Sequence, residues 1–543
     1  MSASYDYIIA GGGSAACTAA WRLVKDHGAR VLIIERGPAK ASGLSAFYLP
    51  MPAAWMKGIS GSPVVEMHEP VAQKHLDGRA PKVGQAAILG GGSSVNAMVY
   101  MRGQHDDYDH WDRFLGQGSG WSYADMLPHF RGLECNHRFH DAWHGVDGPL
   151  HVSDTGAVCQ LTEDYIRAVQ ALGVPYTADF NGARQIGVGT MQYTTHQNRR
   201  CNGVTAYLDP IAGTGRLNIE TNATVSRLII EKGRCTGVAY LRGGQETVAH
   251  ADGEVLVAAG SYNTPKILML SGIGPAAQLA THGIACLADL PGVGENLQDH
   301  HEVPVVAATS GHRGYFGEDR GLRALKNGLQ YVLFRTGPVA SVGVEACACI
   351  DPDGSDRPSI QMYCIPTVYI DGDVKGVPPQ EGITLNACLM RPKSRGTVRL
   401  RSANPLDKPV IDNNYLAEPD DLRLEIAGLR YARDILAAKP LSQRVTRELI
   451  PGSGVTDNAG LAAHCRRTVK TTWHPTGTAR MGADGDPLAV LNARCQVRGI
   501  ENLRVIDASA MPFVPSGNTN APTMALADRA VSLMRSTASA PAL

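Results

Sequence analysis

The sequence predicts an α/β protein in which a Rossmann-like dinucleotide-binding domain is joined to a second domain of helices and strands. Two observations predict the first domain: a glycine-rich turn between an apolar strand and a small-residue helix, and an acidic residue ending the next strand. A third observation predicts the second domain, because residues from about 305 to 465 carry no nucleotide motif. A chain of 543 residues is long enough for both domains.

The first element is a buried strand at 7–9, followed by a glycine turn and an alanine-rich helix. The turn has the form G-x-G-x-x-A, with Gly11, Gly13 and Ala16 at its constrained positions. Gly11 permits a tight turn, Gly13 lets the backbone approach a pyrophosphate, and Ala16 keeps the helix close to its strand. We therefore expect phosphates at the helix amino terminus, where unpaired N–H groups favour negative charge.

The second strand, at 30–34, ends in Glu35, about twenty residues beyond the turn. A carboxylate at this place binds the hydroxyls of a ribose and disfavours a 2′-phosphate, so the pattern favours FAD or NAD. The complete strand–turn–helix–strand pattern carries this prediction, because glycine-rich turns also occur by chance in a chain with 60 glycines.

Composition excludes several classes of function. The 51 Lys and Arg residues balance 51 Asp and Glu residues, so there is no electrostatic case for nucleic-acid binding. The 12 cysteines are scattered without metal-ligand or disulfide spacing, and we expect no metal site and a reducing cytoplasm. We also expect no signal peptide, because the first strand starts close to Met1, and no membrane span, because no apolar run reaches about 18 residues.

Residues from Pro38 to about Arg79 are loop-like, and a second glycine-serine loop follows at 88–103. Together with the amino-terminal turn, this loop resembles the glucose-methanol-choline (GMC) oxidoreductases, FAD enzymes that oxidise alcohols. The family usually shows Leu-Gly-Gly-Ser-Ser-x-Ile-Asn-Gly-Met, and residues 89–98 align with Gly92 in place of the first serine. Ala97 replaces the glycine that follows the family's asparagine, so this chain has Asn96-Ala97-Met98 at that place.

The cofactor implied by the resemblance is noncovalent FAD. In choline oxidases a histidine directly before the loop asparagine carries a covalent flavin bond, and Val95 stands at that position here. Residues 255–274 match the second GMC signature, and we predict a helix there with Thr264 as its cap and Pro265 at its first position. The resemblance covers nearly the whole chain, and the runs at 100–103, 133–136 and 144–148 look most like bacterial choline-type and medium-chain or polyethylene-glycol alcohol dehydrogenases.

The resemblance implies how the two domains divide the chain. The FAD-binding domain would comprise residues 1–155, 205–304 and 466–543, and an α+β substrate domain with an antiparallel sheet would comprise residues 156–204 and 305–465.

The catalytic residues are predicted near the carboxyl terminus. Pro475 biases the preceding residue toward extended conformations, which holds His474 in place. The family keeps its catalytic base in His-Pro-x-Gly-Thr, so the resemblance implies that His474 is the general base and that Asn518 binds the substrate oxygen. Thr519 or Asn520 is expected to cap a helix whose amino terminus faces the flavin.

The family motifs imply the following FAD contacts: Gly11, Gly13, Ser14, Ala15, Glu35, Arg36, Gly90, Gly91, Ser94, Asn96, Ala97, Met98, Val99, Val225, Ala259, Trp473, Asp507, Ala508, Asn518, Thr519, Asn520 and Pro522. Val225 would hold the adenine through its backbone.

The function predicted is oxidation of a primary alcohol to an aldehyde, with His474 taking the hydroxyl proton and flavin N5 taking the hydride. The acceptor that reoxidises the flavin is O₂ or a quinone. The alternatives on the same scaffold are a hydroxynitrile lyase, in which FAD is structural, and a fatty-acid photodecarboxylase. A non-catalytic nucleotide-binding module is hard to reconcile with His474 and Asn518.

One further segment, 320–334, has an apolar stripe beside basic residues. The stripe contains Leu322, Leu325, Leu329, Val332 and Leu333, and the basic residues are Arg320, Arg323 and Lys326. Such a helix can lie on an anionic membrane, but it more often covers a core, and we expect the core-facing arrangement here. A peripheral membrane contact is the alternative.

Overall fold

A computed structural model describes residues 4–56, 61–370 and 377–538. Its α-helices are α1 (Ser14–His27), α2 (Gly43–Tyr48), α3 (His105–Leu115), α4 (Tyr123–Leu133), α5 (Gln160–Ala171), α6 (Gly260–Leu270), α7 (Ala276–Thr281), α8 (Gly321–Phe334), α9 (Pro419–Ala437), α10 (Asn458–Thr468) and α11 (Asn520–Ala538). No helix in the described ranges combines the length and the apolarity that a membrane span requires.

The first large sheet contains the predicted nucleotide-binding strands. Its order is β12 (Leu217–Glu220), β2 (Val31–Ile34), β1 (Tyr5–Ala10), β15 (Gln245–Val257), β14 (Arg234–Arg242) and β13 (Ala223–Glu231), and β26 (Leu503–Val505) also pairs with β15. The core strands β12, β2, β1, β15 and β26 run parallel, which aligns their carboxyl ends at one edge. The predicted strands at 7–9 and 30–34, and the helix between them, are confirmed.

The second large sheet confirms the predicted antiparallel α+β arrangement. Its order is β24 (Val445–Ile450), β18 (His301–Thr309), β21 (Gly382–Leu389), β20 (Ile360–Ile365), β19 (Ala346–Ile350) and β8 (Gly187–Thr190), with β25 (Lys470–Thr471) paired to β18. Each of these pairings is antiparallel. Leu385 and Ala387 of the sheet share one buried core with Leu429 and Ala432 of α9.

Smaller sheets complete the described structure. One has four strands in the order β5 (Val99–Tyr100), β9 (Gln192–Tyr193), β7 (Leu150–Asp154) and β6 (Glu134–Asn136). The two-stranded sheets are β3 (Val65–His68) with β4 (Val83–Ala86), β10 (Thr195–His196) with β11 (Arg199–Arg200), β16 (Ile273–Gly274) with β17 (Ala288–Asp289), and β22 (Thr397–Arg399) with β23 (Val410–Asp412). The segment predicted as loop-like therefore contains α2 and β3.

The predicted start of α6 is wrong. The helix begins at Gly260, so Pro265 lies inside it and Thr264 is not its cap. The first turn is instead held from another part of the chain, because the Asp507 carboxylate accepts the N–H of Gly260 at 2.8 Å and the hydroxyl of Thr264 at 2.6 Å. A contact between residues so far apart in sequence leaves no local signal.

The core-facing prediction for the apolar stripe of α8 is also wrong. Only Asn327 and Tyr331 are buried among the residues of this helix, and the Tyr331 hydroxyl donates to the carbonyl of Asn198 at 2.8 Å. Leu322 is 84% exposed and Leu333 is 68% exposed. The polar face is hydrogen-bonded to the protein, and the apolar face is turned outward.

Candidate active site

One cavity of about 1130 Å³ contains most of the predicted site residues. At one end it is lined by the glycine turn after β1 and by the end of β2. At the other end it is lined by residues of the antiparallel sheet and by the segment around His474. The cavity is therefore elongated and joins the two large sheets.

The glycine turn after β1 is shaped by close backbone contacts. Gly11 has φ +109°, and a Cβ there would lie 2.4 Å from the carbonyl oxygen of Ala258, so only glycine fits. A Cβ on Gly13 would meet nothing closer than 3.9 Å, because the backbone there faces the open cavity. The hydroxyl of Ser14 donates to Oδ1 of Asn520 at 2.8 Å, which joins the amino termini of α1 and α11.

The second glycine loop packs directly on the first. The N–H of Gly90 donates to the carbonyl of Gly12 at 2.8 Å. Gly91 has φ +52°, and a Cβ there would lie 2.7 Å from Cα of Gly13. The second loop thus needs bare backbone where it meets the first, and Gly13 and Gly91 form one wall of the cavity.

Polar groups at the nucleotide end are arranged for a ribose and its neighbours. The Glu35 carboxylate accepts the N–H groups of Gly12 at 2.8 Å and Gly37 at 2.7 Å, and burial raises its pKa. The Arg36 guanidinium pairs with Glu66 through Nη1, while its buried Nη2 has no hydrogen-bond partner among the described residues. A buried donor of this kind calls for a ligand acceptor.

At the other end, His474 lies between His300 and Asn518. Nδ1 of His474 is 3.0 Å from Nδ1 of His300, and Nε2 of His474 is 3.3 Å from Nδ2 of Asn518. The backbone N–H of His474 donates to Oδ1 of Asp299 at 2.9 Å, and the Tyr415 hydroxyl donates to Oδ2 of the same carboxylate at 2.6 Å. The imidazole is thus fixed through its backbone and both of its nitrogens.

The carbonyl group of Met390, acting through His300, determines which nitrogen of His474 carries the proton. Nε2 of His300 is 2.9 Å from the carbonyl oxygen of Met390, which can only accept, so this nitrogen carries the proton. Burial lowers the pKa of His300 to about 4, so the ring is neutral at pH 7 and its Nδ1 is an acceptor. Nδ1 of His474 must therefore be the donor, and its Nε2 keeps a lone pair toward Asn518 and the cavity.

The pKa of His474 differs from the ordinary histidine value of about 6.5. Burial, and then repulsion from His300, lowers it well below the ordinary value. The group is consequently present as the neutral base throughout the physiological pH range.

Left-handed backbone occurs at two non-glycine residues that line the cavity. Met98 has φ +60° and Trp473 has φ +68°. Such residues are uncommon outside sites where the surrounding structure enforces them. The Trp473 ring packs over Gly84, where a Cβ would lie 2.2 Å from its Cζ3. This packing holds the residue directly before His474.

The substrate end of the cavity contains one charged cluster. Glu302 lies 3.6 Å from Nζ of Lys470 and accepts from Nδ2 of Asn386 at 2.8 Å. The Lys470 ammonium also lies 4.0 Å from the centre of the Tyr369 ring. The Tyr363 hydroxyl is 3.2 Å from Oδ1 of Asn518 and so connects the antiparallel sheet with the catalytic pair.

Most predicted FAD contacts line this one cavity, but three do not. Gly90, Ser94 and Pro522 are absent from its wall. The Ser94 hydroxyl donates to the carbonyl of Leu89 and accepts from Asn202, so it supports the second loop from behind. Asp507 lines the cavity, and both of its carboxylate oxygens are already hydrogen-bonded within the protein.

Sequence reasoning assigned no role to four groups now seen in or beside the site: His300, Glu302, Tyr363 and Lys470. His300 ends a run that follows the family pattern, and its contact with His474 could have been suspected from that position. Tyr363 belongs to the region without motifs, and only strand pairing brings it to Asn518.

These features fit FAD. Its adenosine would lie at Glu35, Arg36 and Val225, and its pyrophosphate at the bare backbone of Gly13 and Gly91. The amino termini of α1 and α11 both open on the cavity, and their dipoles favour the negative groups of such a ligand. The flavin end would then lie at Trp473, His474 and Asn518.

Comparisons with known proteins find relatives over nearly the whole chain. Models of the GMC oxidoreductase family match residues 5–302 and 392–527. An "Alcohol dehydrogenase [acceptor]" of Pseudomonas putida is 37% identical over 538 residues, which is 98% of this chain and 95% of that protein. An "Oxygen-dependent choline dehydrogenase" of Sinorhizobium fredii is 37% identical over 529 residues, which is 97% of this chain and 94% of that protein.

A solved structure is similar over the same extent. Pyridoxine 4-oxidase from Mesorbium loti superposes with a TM-score of 0.88 at 29% identity, covering 98% of this chain and 99% of that chain.

Proposed function

This chain belongs to the GMC oxidoreductase family and is an FAD-dependent enzyme acting on CH–OH donors, and we propose that its substrate is a neutral primary alcohol, oxidised to the aldehyde. The observation that carries the proposal is the His474–Asn518 pair at the flavin end of the cavity, with Nε2 of His474 unprotonated and its lone pair directed toward Asn518 and the cavity.

The proposed chemistry divides between cofactor and protein. Bound FAD supplies the two-electron acceptor for the hydride that leaves the carbinol carbon. Nε2 of His474 takes the hydroxyl proton as that carbon becomes a carbonyl, and Nδ2 of Asn518 donates to the substrate oxygen. His300 and Asp299 hold the imidazole in the required tautomer and orientation. A positioned base of this kind contributes a factor of about 10² to 10⁴.

The charged cluster at the substrate end supports a neutral alcohol over a quaternary ammonium alcohol. A cationic substrate needs an aromatic face or an uncompensated carboxylate. Here Lys470 lies over the Tyr369 ring and beside Glu302, so the protein's own ammonium group already occupies the aromatic face and compensates the carboxylate. A second cation at this place would meet repulsion instead of attraction.

The domain division and the mode of FAD attachment are part of the proposal. We assign residues 1–155, 205–304 and 466–543 to FAD binding and residues 156–204 and 305–465 to the substrate domain. Val95 occupies the position at which choline oxidases carry the flavin-linked histidine, which supports noncovalent FAD. Acid or heat denaturation should therefore release the flavin into the supernatant.

We also propose that α8 rests on an anionic membrane surface. Its exposed apolar face includes Leu322 at 84%, Phe334 at 69% and Leu333 at 68% exposure. The helix carries Arg323 and Lys326 and no acidic residue. Apolar side chains with flanking cations are the composition that interfacial helices use.

The proposed function is tested by adding alcohols to the FAD-loaded enzyme without oxygen and following flavin absorbance. A neutral primary alcohol should bleach the flavin at concentrations where choline does not. An oxidised spectrum with all alcohols, together with cleavage of a cyanohydrin or light-dependent release of CO₂ from a fatty acid, would favour the lyase or the photodecarboxylase. Mixing the reduced enzyme with O₂ or a soluble quinone then identifies the acceptor class.

A further inference from the structure

Strand pairing brings a cysteine and two histidines together on the outer face of the four-stranded sheet. Cys135 of β6 and His151 of β7 are direct register partners. His137 follows β6 two residues after Cys135, and its backbone N–H donates to the carbonyl of Val152 at 2.9 Å. Because alternate residues of a strand point to the same side, Cys135 and His137 share one face.

The opposite face of β6 is fully occupied, which shows that the outward arrangement is enforced. Glu134 and Asn136 are buried there, where Glu134 pairs with Arg102 and accepts from Asn136 at 2.8 Å. The ladder therefore cannot slip by one residue without burying Cys135 and exposing the Arg102–Glu134 ion pair. The positions of the outer side chains follow from this register.

The three outer side chains are close enough to share one ion. One ligand atom from each of Cys135, His137 and His151 lies within 4.8 Å of the other two. Nε2 of His137 is 2.9 Å from Nδ1 of His151. Two ligands on a tetrahedral zinc ion at about 2.0–2.1 Å are about 3.3 Å apart, so a shift of a few tenths of an ångström suffices.

The chemistry of the three groups selects the ion. A thiolate and two imidazoles suit borderline-soft ions such as zinc, whereas Mg²⁺ and Ca²⁺ require oxygen ligands. We propose that Cys135, His137 and His151 form a binding site for a zinc-class divalent ion, with a fourth position open to solvent. The exposure of His137 leaves that position accessible.

His196 closes one side of the cluster. It lies on β10, and its ring is tilted by 31° against that of His151, with centroids 3.9 Å apart. A second cluster, of Asp141, His144 and Asp179, also has ligand atoms in reach of one another. It is a poorer site, because both nitrogens of His144 are already paired, with Glu134 at 3.1 Å and with Asp179 at 3.0 Å.

The sequence expectation of no metal site rested on the spacing of cysteines. That spacing is uninformative here, because Cys135 meets His151 through pairing of two strands and not through a local motif. The proposed ion would link β6 to β7 on the face opposite the Arg102–Glu134 ion pair, and it takes no part in alcohol oxidation.

The test uses the full-length, FAD-loaded enzyme with any affinity tag removed, since tag histidines bind zinc. After chelator treatment and desalting, the protein is titrated with Co²⁺ and read at wavelengths beyond flavin absorbance, and Zn²⁺ is then added in competition. The variants are Cys135→Ser and His151→Gln. The matched controls are Cys286→Ser and His250→Gln, which change an exposed cysteine and an exposed histidine elsewhere.

We expect one equivalent of Co²⁺ with a tetrahedral, thiolate-containing spectrum, displaced by one equivalent of Zn²⁺. Affinity should fall at least about 100-fold in Cys135→Ser and His151→Gln, because even groups behind metal ligands affect affinity by 10- to 100-fold. Both controls should bind like the wild type. An octahedral spectrum, less than a fifth of an equivalent bound, or equal affinity in Cys135→Ser would overturn the proposal.

Discussion

The proton positions in the catalytic pair follow from hydrogen-bond acceptors that cannot change role. The Met390 carbonyl fixes the proton on Nε2 of His300, and this fixes the proton on Nδ1 of His474. Burial keeps both rings neutral. His300 is therefore a positioning residue that makes His474 a base on the side facing the substrate.

Replacing His300 tests whether its hydrogen bond to His474 sets the position of the proton. His300→Ala removes the imidazole acceptor for Nδ1–H of His474 and leaves only the Thr472 hydroxyl, 3.0 Å away, so kcat should fall about tenfold or more while KM changes little. His300→Gln can offer both an acceptor and a donor, and should recover part of the loss. His464→Gln is the control, because His464 is likewise buried and bonded to a backbone carbonyl but does not contact His474.

The positioning role of His300 would be contradicted if His300→Ala and His464→Gln reduced kcat equally, or if only KM changed. Steady-state kinetics with the best alcohol of the panel provides both values.

At the scale of elements, the proposed FAD site depends on contact between the glycine turn after β1 and the second glycine loop, where Gly91 lies against Gly13. Gly91→Ala places a methyl group against Cα of Gly13 and strains a residue with φ +52°. We expect the Kd for FAD to rise about tenfold or more, since about 1.4 kcal/mol corresponds to a factor of ten. FAD binding to the apoprotein, followed by fluorescence quenching, measures the change.

Gly92 supplies the control for this substitution. A Cβ there meets nothing within 4 Å, and the family usually has serine at this position, so Gly92→Ser should bind FAD like the wild type. Equal weakening by both substitutions would show that the contact between the loops is not what holds the cofactor.

The outward apolar face of α8 leads to a binding prediction. Leu325 and Leu329 are 60% and 53% exposed, and changing both to Glu should abolish co-flotation with anionic vesicles while leaving alcohol oxidation in solution unchanged. Leu287→Glu is the control, because Leu287 is 55% exposed on another part of the surface. Flotation of the double variant at the wild-type level would exclude α8 as the contact.

At the scale of the whole molecule, stability should depend on pH through His144. Burial opposes its charge, but hydrogen bonds to Asp179 and Glu134 raise its pKa to about 9 from 6.5. A raised folded-state pKa stabilises the protein fully below pH 6.5, and that contribution is lost as pH rises through 9. The change amounts to about 3 kcal/mol of unfolding free energy.

Urea unfolding of the wild type and His144→Gln at pH 6.5 and pH 9.5 checks this. The wild type should lose more stability than the variant between the two pH values. Equal losses of unfolding free energy in both proteins would show that a group other than His144 lowers the stability at alkaline pH.

The sequence predicted the parts of the molecule that local patterns specify. Gly11, Gly13 and Glu35 follow from spacing within one strand–turn–helix–strand unit, and the structure has that unit. The start of α6 was missed because Asp507, distant in sequence, supplies its first hydrogen bonds. The direction of α8 was missed because periodicity marks an apolar face without showing whether that face is covered.

The site residues also differ in whether local sequence motifs predict them. His474 and Asn518 stand in family motifs, whereas Tyr363 and Lys470 reach the cavity only through pairing of the antiparallel sheet. Long-range strand pairing is what a single sequence specifies least, and the substrate preference depends on it.

In the proposed mechanism, Nε2 of His474 takes the substrate proton during flavin reduction. The most direct test mixes the wild type and His474→Ala with a primary alcohol without oxygen in a stopped-flow spectrometer, after matching their FAD content. We expect rapid bleaching in the wild type and a rate lower by a factor of about 10² to 10⁴ in the variant. A fully FAD-loaded His474→Ala enzyme reduced at the wild-type rate would contradict it.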